Sequence, residues 1–294
     1  MTIQWFPGHM AKARRQIEEK LKLIDLAIEL LDARIPLSSR NPMIDEMIKR
    51  KPRLVLLNKC DLADPAVTGE WTDYFAERGL RALSVDSLSG YNVNAILPLG
   101  QQILAEQIEK RRNKGLKPRA IRGLIIGIPN VGKSTLINRL AGRKIAETGD
   151  RPGVTKGQQW IKAGAGLELL DTPGVLWPKF EDQEVGVRLA ITGAVKEEIL
   201  SVVDIAFAAV QYLIRRYGTA LGERYSLARV PAPEEAADRG TVVAIMEEIG
   251  RARGCLKSGG VVDLDKASSV ILRDLRSGKL GKISLERPSD GGFA

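Results

Sequence analysis

The sequence predicts an α/β domain built on a mostly parallel sheet, followed by a smaller all-α C-terminal domain, on the strength of three observations. Gly127-Ile128-Pro129-Asn130-Val131-Gly132-Lys133-Ser134-Thr135 fits G-x-x-x-x-G-K-[ST] and lies between an apolar run over 121–126 and a segment of helical spacing over 134–140. Two more apolar runs, 53–57 and 167–170, stop at polar loops, Asn58-Lys59-Cys60-Asp61 and Asp171-Thr172-Pro173-Gly174. In a parallel sheet all three loops emerge at one carboxyl edge, where such sheets bind nucleotides. Beyond about Trp177 the apolar spacing turns helical, which divides the chain into residues 1–178 and 179–294.

Taken in order, residues 1–10 carry Trp5, Phe6 and a Pro7-Gly8 turn, so His9 is a loop or helix-entry residue. Between residues 17 and 31 the apolar positions satisfy both periods; the reading is helix to about Lys22, then strand to Leu31. Residues 81–85 form another strand before Ser87-Leu88-Ser89-Gly90, 99–112 a helix, and 113–122 a basic connector into the phosphate-loop strand. Pro152-Gly153-Val154-Thr155-Lys156-Gly157 is turn-rich. In the tail one stripe, Ile199, Val202, Val203, Ala206, Val210 and Leu213, is expected to stop at Gly218. A second, Val242, Ile245, Met246 and Ile249, is expected to stop at Gly250.

A chain of 294 residues buries a sizeable core, and its +9 charge favours a polyanionic partner, RNA or an anionic membrane surface. Residues 109–122 alone hold seven basic side chains and one acidic. Lys257, Lys266, Arg273, Arg276, Lys279 and Lys282 offer further phosphate contacts in the tail. Cys60 and Cys255 form no C-x-x-C pair, which argues against a disulfide framework or zinc site and for a reducing cytosol. No apolar run approaches the length of a membrane span, and no secretory leader is visible, so a cytoplasmic location is expected.

The glycine-rich loop is a phosphate cradle. Its N–H groups, from Asn130 through Thr135, turn inward at a helix N-terminus; Lys133 reaches the β- and γ-phosphates and Ser134 holds Mg²⁺. Asn58-Lys59-Cys60-Asp61 resembles the N-K-x-D motif of GTPases. In that resemblance Asp61 accepts from guanine N1–H and the 2-amino group, Asn58 orients the base and its loop, and Lys59 lies across the nucleotide. Adenine offers no matching donors. Ser87 and Leu88 resemble the S-A-K loop that supports guanine, with Leu88 in the usual alanine position. Asp171-Thr172-Pro173-Gly174 resembles D-x-x-G, in which Asp171 holds Mg²⁺ through water and the Gly174 N–H senses the γ-phosphate.

The guanine motif precedes the phosphate loop, the reverse of the Ras-like order, as expected of a circularly permuted Ras-like P-loop GTPase domain. With Trp5-Phe6-Pro7-Gly8-His9-Met10, Leu31-Asp32-Ala33-Arg34, Pro152-Gly153-Val154-Thr155 and Asp171-Thr172-Pro173-Gly174-Val175, this order resembles the bacterial ribosome biogenesis GTPase A family, YlqF. The resemblance implies a GTP phosphohydrolase that binds rRNA and ribosomal proteins of the large ribosomal subunit and leaves on hydrolysis. It also implies Thr155 as a second Mg²⁺ ligand and His9 as the catalytic residue. Val175 stands where Ras-like proteins carry a water-orienting glutamine, and valine cannot hold water, so another group must. Asn130 matches the asparagine of potassium-activated GTPases, which makes K⁺ an expected cofactor beside GTP, GDP and Mg²⁺. Two rivals stay open: a GTP-gated RNA-binding module with incidental turnover, and a membrane-acting GTPase. Nothing in the sequence suggests more than a monomer.

Overall fold

Strand β1 (Leu26–Asp32) is buried along its whole length, as a nearly unbroken apolar run requires of a parallel strand covered on both faces. The computed structural model describes residues 15, 18–144, 159–171, 182–195 and 201–290. Around β1 stand β2 (Arg53–Asn58), β3 (Arg81–Ser84), β4 (Ile121–Ile126), β5 (Gln159–Ala163) and β6 (Leu167–Asp171). The sheet order is β3-β2-β1-β4-β6-β5, parallel except where β5 runs antiparallel to β6. The carboxyl ends of β1, β2, β3, β4 and β6 therefore share one edge.

The two-way pattern over 17–31 resolves into helix at 18–21 and strand from Leu26. Alternation along β1 then sends Ala27 and Leu31 to one face and Leu26 to the other. Ala27 packs with Ile44 and Ile48 of α1 (Pro42–Ile48), and Leu31 shares a cluster with Trp71 and Phe75 of α2 (Pro65–Glu77). Helix α2 starts where Asp64 accepts from the Ala66 and Val67 N–H groups and Pro65 fills the first turn. The single helix expected over 99–112 is two, α3 (Ile96–Ile103) and α4 (Ala105–Asn113), parted at Leu104 by non-helical backbone. Gly100 of α3 lets Leu26 approach: a Cβ there would stand 3.0 Å from Leu26 Cδ2. No residue of α4 is buried, so it is held by its own backbone and ion pairs rather than by a core. Helix α5 (Lys133–Ala141) follows the phosphate loop.

The chain forms two units, one of residues up to 181 together with 286 onward, the other of 182–285. This differs from a single cut at 178, because the described stretch 286–290 packs in the first unit. Glu286 is buried and accepts from the Leu37 N–H, the Ser38 N–H at 3.1 Å and Ser38 Oγ at 2.6 Å. Trp71 Nε1 donates to the Glu286 carbonyl at 3.2 Å, and Arg287 reaches Glu70 at 3.3 Å.

The second unit contains α6 (Gln183–Ile191), α7 (Val202–Tyr225), α8 (Arg239–Ala252) and α9 (Leu264–Arg276). Ala206, Val210 and Leu213 of one expected stripe and Val242, Ile245, Met246 and Ile249 of the other are buried as core. Ile199 lies outside the described residues. Neither expected glycine stop is a stop. Helix α7 bends at Tyr217, continues through Gly218, and ends where Ser226 turns left-handed at φ 53°. Gly218 and Gly222 instead make room for Val230, and a Cβ on Gly250 would collide with Val262 Cγ1 while α8 runs on to Ala252. Arg276, read as a phosphate contact, is occupied within the unit: it donates to the Ile191 carbonyl at 2.9 Å and the Ala190 carbonyl at 2.7 Å. Lys257 and Lys266 flank Asp263, and Lys279 lies 3.9 Å from Asp274. Arg273 and Lys282 are exposed. No described helix is long and apolar enough to cross a membrane.

Replacing Glu286 by Ala strips three buried donors of their acceptor and should lower the unfolding free energy of the first unit by about 3 kcal/mol. Arg287→Ala, which loses an ion pair with the exposed Glu70, should cost less, about 1 kcal/mol. Urea unfolding followed by tryptophan fluorescence, to which the buried Trp71 of this unit contributes, separates the two.

Candidate nucleotide site

The phosphate loop leaves β4 at Gly127 and enters α5 after Gly132. Gly127 is required because a Cβ would come within 2.6 Å of the Leu30 carbonyl oxygen of β1. Gly132 has φ 103°, and a Cβ on it would collide with Asn58 Nδ2. Asn130 has φ 58°, a left-handed conformation that asparagine tolerates better than most residues. Lys133 is 8% exposed, and its Nζ donates to the Gly127 carbonyl at 2.9 Å and the Ile128 carbonyl at 2.7 Å. The ammonium is thus held against the loop it is expected to serve. Ser134 and Thr135 occupy the first turn of α5, half-buried, at the positive end of the helix.

Asn58 joins this loop to the base-side loops. Its Nδ2 donates to the Val131 carbonyl at 2.7 Å, while its Oδ1 accepts from the Ser87 N–H at 3.0 Å and from Ser87 Oγ at 2.7 Å. Lys59 takes a left-handed conformation at φ 60° and places Nζ 3.1 Å from Asp32 Oδ2. Asp61 is exposed two residues on. Leu88 is 76% exposed; its N–H is engaged by Asp86 Oδ1 at 2.8 Å, and its carbonyl accepts from Arg139 of α5. Arg139 also lies under Gly90, 3.4 Å from where a Cβ would be. The phosphate-loop helix therefore braces the base-side loop at a second point, one the sequence reading missed. Its only trace in the sequence is a basic residue in the last turn of α5, where arginine is unremarkable.

A further charged group lies at the same edge of the sheet. Asp32 and Arg34, at the end of β1, form a buried bidentate pair with Nε–Oδ1 2.9 Å and Nη2–Oδ2 2.7 Å. Burial alone would raise the Asp32 pKa, but Arg34 and Lys59 overcome it and hold the carboxyl well below the usual carboxylate range. Burial and the neighbouring Asp86 push Asp61 the other way, above its usual range, with Arg34 opposing them.

His9, Thr155 and Gly174 lie outside the described residues, as does the side chain of Asp171, whose backbone ends β6. Among the described residues no group of three or more histidine, cysteine, aspartate or glutamate side chains could hold a metal. A hydroxyl at a helix N-terminus beside a phosphate cradle suits Mg²⁺ that takes most of its oxygens from phosphate and water.

A phosphate loop after β4, tied through Asn58 to a guanine-type loop after β2 on a largely parallel sheet, defines a circularly permuted P-loop GTPase domain. The family pattern described as 50S ribosome-binding GTPase matches residues 122–227. The chain is 56% identical over 290 residues to ribosome biogenesis GTPase A of Bacillus licheniformis, covering 99% of this chain and 100% of that protein. It is 31% identical to the Thermotoga maritima protein of the same name, covering 98% and 95%. To mouse mitochondrial ribosome-associated GTPase 1 it is 32% identical, covering 97% and 90%. The crystal structure of GNP-bound YlqF from T. maritima superposes with TM-score 0.64 at 28% identity, covering 94% of this chain and 98% of that one. The chain belongs to the ribosome biogenesis GTPase A family.

Asn58→Ala orphans the Val131 carbonyl and the Ser87 N–H together, and should weaken guanine nucleotide binding at least about tenfold while costing about 2 kcal/mol of stability. Isothermal titration with GDP and a denaturant melt measure both. Asp32→Asn tests the buried pair by pH. Because the folded pKa of Asp32 is depressed, its stabilisation is complete above the unfolded carboxylate value and is lost as pH falls toward the folded one. The stability gap between wild type and Asp32→Asn should be constant from pH 7 to about 5 and narrow steadily below about 4, as read by urea unfolding across that range.

Proposed function

We propose that this chain is a cytoplasmic, monomeric GTP phosphohydrolase that binds the precursor of the large ribosomal subunit, through rRNA and ribosomal proteins. It assists late assembly and converts GTP and water to GDP and phosphate on or before release. The observation that carries this reading is the Asn58 bridge, which fixes a guanine-type loop and a phosphate loop as one site. The descriptive name of the matching family pattern and the names of the relatives support the ribosomal assignment.

In this reading Asp61, Asn58, Lys59, Ser87 and Leu88 form the base side. Gly132, Lys133 and the N–H groups from Asn130 to Thr135, with Gly174, hold the phosphates. Ser134, Thr155 and Asp171 would hold Mg²⁺, which when bound neutralises charge developing on the phosphate oxygens. Lys133 would act on the same oxygens, and most of the catalysis is positioning and charge stabilisation. Val175 cannot orient water, so His9 is assigned that role, and Asn130 is assigned to a K⁺ ion. Lys110, Arg111, Arg112 and Lys114, on or just after helix α4, which has no buried residue, supply cationic surface for RNA. The alternative, a GTP-gated RNA-binding module, uses the same residues and parts from this reading only in turnover.

GTP hydrolysis in KCl with purified large subunits should exceed that without subunits, that in NaCl, and that with ATP. His9→Ala should lower the stimulated rate about a hundredfold or more with GTP binding intact. Equal rates in KCl and NaCl remove the K⁺ assignment, and an unchanged His9→Ala rate removes the histidine. GTP-dependent subunit binding without stimulation selects the gated module.

A further inference from the structure

Resting on the guanine reading above, we propose that Arg34 is a specificity-determining positioning residue: it is the fixed cation that keeps Asp61 available as an ionised acceptor for the base. The register that pairs Asp32 with Asn58, and the 2.8 Å hydrogen bond from the Ala33 N–H to the Asn58 carbonyl, set the loop after β1 beside the loop that carries Asp61. Arg34 is 2% exposed, and two of its nitrogens are taken by Asp32. Its third, Nη1, is sealed from solvent and has no hydrogen-bond partner among the described residues. A buried guanidinium donor left unmatched is costly in a structural pair, so its retention calls for a further electrostatic use.

The charges around Asp61 supply that use. Asp86 faces it from the loop after β3, and Asp32 and Arg34 face it from the end of β1. Lys59, on its own loop, is engaged by Asp32, and Arg139 of α5 acts on Asp86. Among the described residues, acids therefore outnumber the cations that act on Asp61 directly. In the open site water screens the exposed Asp61, whereas a base docked on it displaces that water and strengthens every remaining charge interaction. Among the described residues, Arg34 is then the cation that acts on Asp61 from a fixed, buried position. A protonated Asp61 cannot accept from both guanine donors, so Arg34 secures the base preference without touching the base.

Removing Arg34 alone would leave Asp32 buried with only Lys59, so the test compares Asp32→Asn with Asp32→Asn/Arg34→Gln, in which the buried pair is neutral. GDP and IDP are titrated calorimetrically into the full-length chain from pH 8 to pH 5.5. IDP carries the same phosphates but lacks the 2-amino group, so the affinity ratio cancels phosphate titration. Wild type and Asp32→Asn should keep a constant GDP preference across this range. The double variant should lose GDP affinity by about tenfold per pH unit below a raised Asp61 pKa, with its preference over IDP falling in parallel. Asp32→Asn/Arg34→Lys should restore the flat profile. A double-variant profile as flat as that of Asp32→Asn overturns the inference while leaving the guanine reading intact. Wild-type protein that binds IDP and GDP alike overturns both.

Discussion

The nucleotide site depends on one side-chain amide. Asn58 ends β2, donates to the phosphate loop and accepts twice from the loop after β3, so three loops from separate strands share one rigid connector. Hydrogen bonds of this kind are modest singly, but none can be lost without stranding a buried group in another loop. The surrounding sequence is shaped to admit the amide. Gly132 lacks a Cβ where Asn58 Nδ2 must pass, and Gly127 lacks one where β1 crowds the loop. The glycines of the phosphate motif therefore serve the neighbouring strands as well as a polyphosphate.

A second organisation lies beneath the first. The buried Asp32–Arg34 pair, with the half-buried Lys59, lies at the same sheet edge and couples the ends of β1 and β2 electrostatically, as the Asn58 backbone couples them by hydrogen bonding. Arg139 then holds the base-side loop from the phosphate-loop helix. The two halves of the site are thus braced from several directions, as expected of a scaffold whose binding loops must keep a fixed spacing.

What could be read from the sequence follows from the range of each cause. Strand β4 and helix α5 were legible because a glycine-rich turn between an apolar run and a helical one is a local signal. The expected strands over 53–57, 81–85 and 167–170 were likewise found, whereas β5 and α1, α2, α6 and α9 had no motif to mark them. The errors at Gly218 and Gly250 have a common origin. A glycine in a helix suggests a local stop, yet here each glycine answers to a side chain from elsewhere, Val230 in one case and Val262 in the other. The same limit hid Arg139 and Glu286, whose partners are remote in the chain. Asn58, Asp61 and Lys133 could be picked out as candidate site residues because their motifs are short. The positions of His9, Thr155 and Gly174 lie outside the described residues.

The return of Glu286 to the loop after β1 has a consequence for how the chain is made. Its partners are separated from it by 248 and 249 positions, so the helical unit is, in order of synthesis, an insertion within the nucleotide unit. A contact of such separation forms late and at high entropic cost. While the chain is still emerging, the loop that leads from Asp32 and Arg34 has no acceptor for the N–H groups of Leu37 and Ser38. The nucleotide unit is completed only by residues made after the helical unit, so a nascent chain carries every motif before it carries the whole domain.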